Sequence, residues 1–229
     1  YRPVRNFAKA GELLDKGFQL ARGISPGTNP RLSWESAFYS DLSLDFMRLG
    51  EYEKAIEAHS QSVYLYEQYL MNRNAQRVSK VFLKAEQATL IVRLIRLGNA
   101  YRQTRKLNQA LEQYQHALNS IEKWGLEYAF MDQLYWNMGD VYHRQNHFSR
   151  ALEHFKKALL IAEGRNSVSV IRDTSLSIGN VLRQTGNAAE ALPHYQKAIQ
   201  QVESTRSLLQ SEEYRQSFFE GRLGVYASM

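Results

Sequence analysis

Two segments define a repeating unit of this chain: Leu94-Ile-Arg-Leu-Gly-Asn-Ala-Tyr101 and, shortly after it, Ala110-Leu-Glu-Gln-Tyr-Gln-His-Ala117. Their spacing of apolar, small and aromatic residues is typical of amphipathic helices. The pair recurs at residues 135–142 with 151–158, at 175–182 with 191–198 and, in weaker form, at 39–46 with 55–62. In every copy the last anchor of the first segment lies nine residues before the first Ala of the second, so the sequence predicts a tandem array of helix pairs.

Distances between corresponding residues give the length of the unit. Gly98 and Gly139 lie 41 residues apart, and Gly139 and Gly179 lie 40 apart. Ser43, which corresponds to Gly98, lies 55 residues before it, and this predicts an insertion around residues 66–84, as lengthened helices or one additional helix. We expect four repeats over residues 36–205. A partial repeat, of which only the second helix is present, precedes them in residues 1–22, and a C-terminal helix or junction toward a further domain follows in 206–229.

Small residues and turn residues predict how the helices pair. The links within repeats are short, which requires antiparallel packing, and Gly50 and Gly186 suit the left-handed backbone conformation that ends a helix. A Gly inside a helix costs about 1 kcal/mol relative to Ala. Gly98, Gly139 and Gly179 therefore predict the close approach of a neighbouring helix, which we expect to press an Ala against the bare backbone. The predicted fold is an all-α solenoid of antiparallel helix pairs.

Composition excludes several kinds of site. The 229 residues contain no Cys, which removes disulfides, thiolate metal ligands and a Cys nucleophile. The sequence has no phosphate-binding Gly-rich loop, no His-Glu-x-x-His helix and no nucleophile elbow, so we expect neither an enzyme nor a cofactor. His143 and His147 are four residues apart, but His147 falls in a predicted turn and no third ligand is evident, so no metal site is expected.

Charge and hydropathy bear on the partner and the location. The net charge is +6, but Lys and Arg are scattered among Glu and Gln, which disfavours nucleic acid as a partner. The most apolar stretch, residues 90–97, contains two Arg residues and is far shorter than the roughly 18–20 residues that span a bilayer. No signal peptide is evident and Cys is absent, so the sequence favours a cytoplasmic location without membrane attachment.

The anchors resemble those of tetratricopeptide repeats: an aromatic residue or Leu, then Leu-Gly, then Tyr, followed by Ala, an aromatic residue and Ala. The resemblance covers residues 36–205. The unit of about 40 residues is longer than the usual ~34 and is similar to the variant found in kinesin light chains, polarity adaptors and many bacterial signalling proteins. The resemblance implies a right-handed superhelix whose concave groove binds a protein or peptide segment.

Candidate binding residues lie beside the apolar seam of each first helix. At about 100° per residue, Ile95, Asn99 and Arg102 share the arc next to that seam, which lines the groove in tetratricopeptide arrays. The same arc in later repeats adds Trp136, Asp140, His143, Arg144, Asn180 and Arg183. Asn can bond both peptide groups, Arg can bind carboxylates with two hydrogen bonds, and Trp136 is the strongest anchor candidate. The alternative is that the polar members only bond neighbouring helices and stiffen the array.

The tail carries a second resemblance. Val202-Glu-Ser-Thr-Arg206 followed by Ser211-Glu-Glu-Tyr-Arg-Gln-Ser-Phe-Phe219 resembles the segment that joins tetratricopeptide arrays to CHAT domains, which are caspase-like, in bacteria. It implies a non-catalytic sensor or docking region that regulates a C-terminal CHAT-type protease, whose His/Cys dyad would lie beyond this chain. A peptide-sensing regulator and a scaffold that self-associates through the ends of the array are the alternatives.

Overall fold

The structure, a computed structural model, describes residues 29–74, 79–126 and 130–210, which form eight α-helices and no strand. The helices are α1 (Asn29–Leu49), α2 (Tyr52–Asn74), α3 (Lys80–Gln103), α4 (Leu107–Trp124), α5 (Met131–Arg144), α6 (Phe148–Gly164), α7 (Val168–Gln184) and α8 (Ala188–Gln210). The predicted all-α fold is confirmed. The expected partial repeat at 1–22 and residues 211–229 of the expected junction lie outside the described residues.

The helices belong to two compact units. Unit 1, up to Glu127, contains α1 to α4, and unit 2, from Tyr128, contains α5 to α8. In unit 1, α1 packs on α2, α2 on α3, and α3 on α4. In unit 2, α5 packs on α6, α6 on α7, and α7 on α8, while α5 also contacts α7. Each unit therefore consists of two helix pairs, and in unit 2 the first helices of the two pairs lie side by side.

One turn geometry closes all four pairs. A residue with left-handed backbone conformation follows each first helix, with φ of 75° at Gly50, 60° at Arg105, 60° at Asn146 and 84° at Gly186. The next backbone N–H then donates to the carbonyl five residues back, as Glu51 N does to Phe46 O at 2.9 Å. Such bonds satisfy carbonyls that a helix end leaves unpaired. The left-handed conformation predicted for Gly50 and Gly186 is confirmed.

The extra residues between the first two repeats lengthen the helices on either side of residues 75–78. Helix α2 has 23 residues and α3 has 24, whereas α4 to α7 have 14 to 18. A carboxylate joins the extended ends: the Tyr69 hydroxyl donates to Glu86 at 2.5 Å, and Arg73 Nη2 donates to the same oxygen at 3.0 Å. Glu86 on α3 thus holds two side chains of α2.

Bare glycine backbone packs against aromatic rings inside three of the helix pairs. A Cβ added to the glycine would lie closer to a ring atom than van der Waals contact allows, at 2.4 Å for Gly98 and Tyr114, 2.6 Å for Gly139 and Phe155, and 2.7 Å for Gly179 and Tyr195. The predicted close approach is confirmed, but an aromatic ring, and not the predicted Ala, supplies the nearest atoms. The nearest atoms belong to the ring of the paired second helix, because a flat ring fills the space between two helices that a methyl group would leave empty.

Candidate functional site

The first helices α5 and α7 together form one surface of unit 2. The Trp136 indole N–H donates to Ser177 Oγ at 3.2 Å, and His143 Nε2 lies 2.6 Å from Gln184 Oε1. Both hydrogen bonds join α5 to α7. We name this surface the first-helix face of unit 2, and it carries Trp136, Asp140, His143, Arg144, Asn180 and Arg183. These bonds hold Trp136 and His143 against α7, whereas the place of Asn180 and Arg183 beside them follows from helix periodicity and stays a prediction.

Several polar residues of this face already bond within the protein. Arg144 Nε donates to Asp140 at 2.9 Å, and Asn180 Oδ1 accepts the Tyr195 hydroxyl at 3.0 Å. Arg144 and Arg183 are nevertheless exposed. Apolar surface lies beside them, since Leu176 is 46% exposed and Trp136 is half-buried. The face thus combines accessible guanidinium donors with an apolar strip, a combination suited to a peptide backbone and its side chains.

The candidate residues of unit 1 are less accessible. Ile95 is only 8% exposed and lies in the core, so it offers little surface to a ligand. Asn99 is half-buried, and its Oδ1 accepts the Tyr114 hydroxyl at 2.7 Å. Arg102 is half-buried. Asn99 and Asn180 thus bond the neighbouring helix, as the stiffening alternative expects, and partner binding by their amide N–H groups stays a prediction.

Residue types on paired helices vary together. Where the second helix presents Tyr114 or Tyr195 to a glycine, the residue after that glycine is Asn99 or Asn180, and the two bond. Where it presents Phe155, which has no hydroxyl, the corresponding residue is Asp140. The carboxylate of that residue turns instead to Arg144. This residue thus bonds the paired helix where the ring carries a hydroxyl, and forms an ion pair on its own helix where the ring is Phe155.

In the first pair, a polar contact replaces the glycine–ring contact. Ser43 Oγ lies 2.8 Å from His59 Nδ1 and donates to Ser40 O at 2.6 Å, so we assign the proton of the first bond to His59 Nδ1. His59 is 2% exposed. Burial and, to a smaller extent, the nearby charges of Arg96 and Arg93 together lower the pKa of His59 to about 4. His59 is therefore a neutral buried donor at neutral pH.

A buried arginine is the feature that the sequence reasoning missed. The Ser36 hydroxyl donates to Ser62 O at 2.7 Å and the Ser62 hydroxyl to Ser36 O at 2.8 Å, which draws α1 and α2 together. Arg93 of α3 reaches this pair, with Nη1 at 3.0 Å from Ser36 O and 2.6 Å from Ser62 Oγ. Its guanidinium carbon lies 4.6 Å from the centre of the Tyr66 ring, within cation–π distance.

The position of Arg93 within its repeat is the signal in the sequence that indicates burial of this side chain. Arg93 precedes the glycine of its repeat by five residues, and Leu134 and Thr174 occupy that position in the later repeats. Both of those are 0% exposed. A basic residue at a position that is otherwise core signals a buried charge, and the Ser residues of α1 and α2 mark where its hydrogen bonds go.

Grouped metal ligands and membrane-spanning helices are both absent from the described residues. Across residues 29–74, 79–126 and 130–210, no three His, Cys, Asp or Glu side chains are grouped closely enough to share a metal ion. None of the described helices combines the length and apolar character that crossing a bilayer demands.

Comparison with known families agrees with the repeat pattern. Two tetratricopeptide repeat family models match the chain, one over residues 88–163 and the other over 173–200. Tetratricopeptide repeats are recognised within these two ranges. The matched ranges run from α3 to α6 and from α7 into α8, so tetratricopeptide units are recognised in both compact units. No curated protein matches the chain significantly.

Solved structures share the fold. The crystal structure of MamA is similar over 90% of this chain and 99% of that chain, with a TM-score of 0.57 and 18% identity. The apo form of RapI is similar over 86% of this chain and 48% of that chain, with a TM-score of 0.65 and 14% identity. Aspartyl phosphate phosphatase F from Bacillus subtilis is similar over 84% of this chain and 51% of that chain, with a TM-score of 0.62 and 15% identity. The chain spans about half the length of the latter two, and at these identities the likeness shows the α-solenoid fold alone.

Proposed function

We propose that this chain is a non-catalytic module that binds a protein or peptide segment on its first-helix faces. The observation that supports this most directly is the first-helix face of unit 2, where Trp136 and exposed Leu176 lie on the same two helices as the exposed guanidinium groups of Arg144 and Arg183. Aromatic residues and Arg dominate binding energy at protein interfaces. Tetratricopeptide repeats suggest an interaction module on family grounds as well.

Replacing Trp136 tests this proposal. Peptides are selected on the immobilised chain from a random 12-residue phage library, and the affinity of the best one is measured by titration calorimetry. Trp136→Ala should weaken binding by about 2 kcal/mol, roughly thirtyfold, because a large ring leaves the centre of the interface. Trp34→Ala is the matched control, since Trp34 is 78% exposed on α1 of unit 1. Equal affinities for both variants would exclude the first-helix face of unit 2 as the binding surface.

We also propose that the bound segment regulates a C-terminal CHAT-type protease in a bacterial signalling protein. The support is the sequence resemblance of residues 202–219, of which those after Gln210 lie outside the described residues. Such regulation requires that the segment bind one arrangement of the array more tightly than another. A caspase-like sequence with spaced His and Cys, encoded just after Met229 in the parent gene, would support it. An unrelated sequence there would remove it.

A self-associating scaffold remains a second candidate because helix α8 exposes apolar residues along one face. Leu192, Ile199 and Val202 are 57%, 60% and 47% exposed, and their spacing of seven and three residues places them together on the helix. If this face mediates assembly, light scattering should show mass rising with concentration, and Leu192→Lys with Ile199→Lys should abolish the rise. A constant monomeric mass would eliminate the scaffold.

A further inference from the structure

The C-terminal end of α2 and the N-terminal end of α3 expose large apolar side chains in unit 1. Met71 lies in the last turn of α2, and Val81 and Phe82 lie in the first turn of α3. Their exposed fractions are 63%, 76% and 67%. We name these two helix ends, residues 71–73 and 80–84, the α2–α3 tip. The peptide-binding surface proposed for unit 2 does not include it.

The tip reaches further than the matching helix end of the next repeat. When the repeats are aligned with Ser62 on Ala117, α2 ends five residues later than α4. Five residues lengthen a helix by about 7 Å. Glu86 of α3 bonds both Tyr69 and Arg73 of α2, so the two longer helices are held side by side near their ends. The apolar side chains therefore stand on a projection that an ionic contact braces.

The sequence around the tip is basic. Between Glu67 and Glu86 it contains four Arg or Lys residues and no Asp or Glu, whereas the whole chain has 29 basic and 23 acidic residues. Lys80 and Lys84 belong to the tip and are exposed, and their spacing of four residues places them on one side of α3. The tip thus combines exposed apolar side chains with positive charge.

We propose that the α2–α3 tip contacts the surface of an anionic lipid bilayer. Apolar side chains that enter the boundary between headgroups and acyl chains leave water, and Lys beside them is attracted by the anionic lipids. A projecting helix end can reach a broad, deformable surface, whereas small ligands are usually held in concave sites. The contact goes beyond the function proposed above, and it differs from the expectation, drawn from the sequence, of no membrane attachment.

Nucleic acid is the competing polyanion. Its phosphates would attract Lys80 and Lys84 as well as lipid phosphates do. Single-stranded nucleic acid, however, gains affinity from aromatic rings on which its bases stack, and Met71 and Val81 are aliphatic. All three exposed side chains gain by leaving water for an apolar medium. The combination therefore favours a lipid surface.

Vesicle sedimentation with the full chain tests the contact. One probe is vesicles of phosphatidylcholine alone, and the other is vesicles of phosphatidylcholine and phosphatidylglycerol in equal amounts. We expect the mixed vesicles to bind at least about tenfold more tightly, because basic residues gain affinity only at the anionic surface. Equal sedimentation with both kinds of vesicle, or no sedimentation with either, would overturn the proposal.

Two variants separate the apolar from the electrostatic contribution. Phe82→Ser should weaken binding to the mixed vesicles about tenfold, because the ring no longer leaves water. Lys80→Gln with Lys84→Gln should weaken it about thirtyfold, because two positive charges near the lipid surface are lost. Since all three side chains are exposed, the melting temperature should stay unchanged in both variants.

Matched controls make the same changes on α6 in unit 2. Leu160→Ser replaces a side chain that is 73% exposed, and Arg150→Gln with Lys156→Gln removes two exposed charges. Each should leave vesicle binding within about twofold, because salt screens charges that lie away from the contact. Equal losses in the tip variants and their controls would show that the tip is not the contact. Tighter binding to single-stranded DNA than to the mixed vesicles, unaffected by Phe82→Ser, would replace lipid by nucleic acid.

Discussion

The first helix pair and the later pairs meet through different chemistry at the same position. In the later pairs a glycine such as Gly98 receives a ring such as Tyr114, and the contact excludes any added atom. In the first pair Ser43 takes the glycine position, and a hydrogen bond to buried His59 replaces the ring contact. The repeat therefore specifies a close helix–helix approach at this position, and either packing or a hydrogen bond can provide it.

This difference in chemistry extends to the neighbouring helix. Beside the polar pair, Arg93 finds the Ser36 and Ser62 oxygens and is buried as a charged group. Beside the apolar pairs, the same register carries Leu134 or Thr174. The polar pair of unit 1 thus depends on buried titratable and charged groups, His59 and Arg93, whereas the glycine–ring contacts depend on shape.

Removing a ring from unit 2 should have the largest effect. Phe155→Ala should lower the free energy of unfolding by about 3–5 kcal/mol, because Phe155 is 1% exposed and its loss leaves a cavity against Gly139. Leu160→Ala on the same helix is the control, since Leu160 is 73% exposed and should cost less than about 0.5 kcal/mol. Urea unfolding measures both values. Equal losses would mean that the glycine–ring contact does not hold the pair.

Acidification should destabilise unit 1 more than unit 2. The pKa of His59 is lowered from 6.5 to about 4, so its contribution to stability is fully present above about 6.5 and is lost as the pH falls through 4. The free energy of unfolding should have fallen by about 3 kcal/mol once the pH is below 4. His194 in unit 2 has its pKa lowered by burial and by Lys197, but it is only half-buried and should contribute less.

Hydrogen exchange resolved by residue follows this acid effect in each unit separately. The control is Ser43→Gly with His59→Tyr, which installs the chemistry of the later pairs and should abolish most of the extra pH dependence of unit 1. The assignment of the effect to His59 would be untenable if the double variant kept the full wild-type dependence.

Adding one methyl group should have opposite effects at two glycines. At Gly98 an added Cβ would stand 2.4 Å from the buried Tyr114 ring, so Gly98→Ala should cost about 1–3 kcal/mol despite its better helix propensity. At Gly164, the last residue of α6, an added Cβ meets nothing within 4 Å. Gly164→Ala should therefore be neutral or stabilise by up to about 1 kcal/mol. Thermal unfolding of both variants checks the signs, and a stabilised Gly98→Ala would refute the close contact.

Moving a hydroxyl should have the smallest effect. Tyr195→Phe removes the bond to Asn180 and should cost about 0.5–1.5 kcal/mol. In the α5–α6 pair, Phe155→Tyr combined with Asp140→Asn should build the same bond. The free energy of unfolding of this double variant should exceed that of Asp140→Asn alone by a similar amount. A double-mutant cycle in urea unfolding measures the coupling between the two positions. Zero coupling would show that the Tyr–Asn pairing is incidental.

The sequence was sufficient for features that depend on spacing. The nine-residue offset, the glycines and the short turns predict helix pairs, and the structure confirms them. The partner of each glycine was not predictable from spacing, because the Ala and aromatic positions of the second helix repeat with the same period and only coordinates show which one reaches the backbone. The Tyr–Asn bonds were not predictable either. Asn99 and Asn180 lie on the arc beside the seam, and only the structure shows that they are close enough to the paired helix to bond it.

The buried arginine was the harder feature to foresee. A charged residue in a helix usually points to solvent, and in the sequence Arg93 and Arg96 read only as charges that interrupt an apolar stretch. Small hydroxyl residues on two other helices leave room for the guanidinium and accept its hydrogen bonds. That arrangement depends on contacts among three helices, and the periodicity of a single helix does not report it.

The decisive measurement is the affinity of a phage-selected peptide for a charge-reversed first-helix face of unit 2. Arg144→Glu with Arg183→Glu reverses two exposed charges on that face, and Arg150→Glu with Lys156→Glu reverses two exposed charges on the second helix α6. With melting temperatures unchanged, we predict that the first variant loses at least about tenfold in affinity and the second less than about twofold. Equal affinities for the two variants would contradict partner binding on the first-helix face.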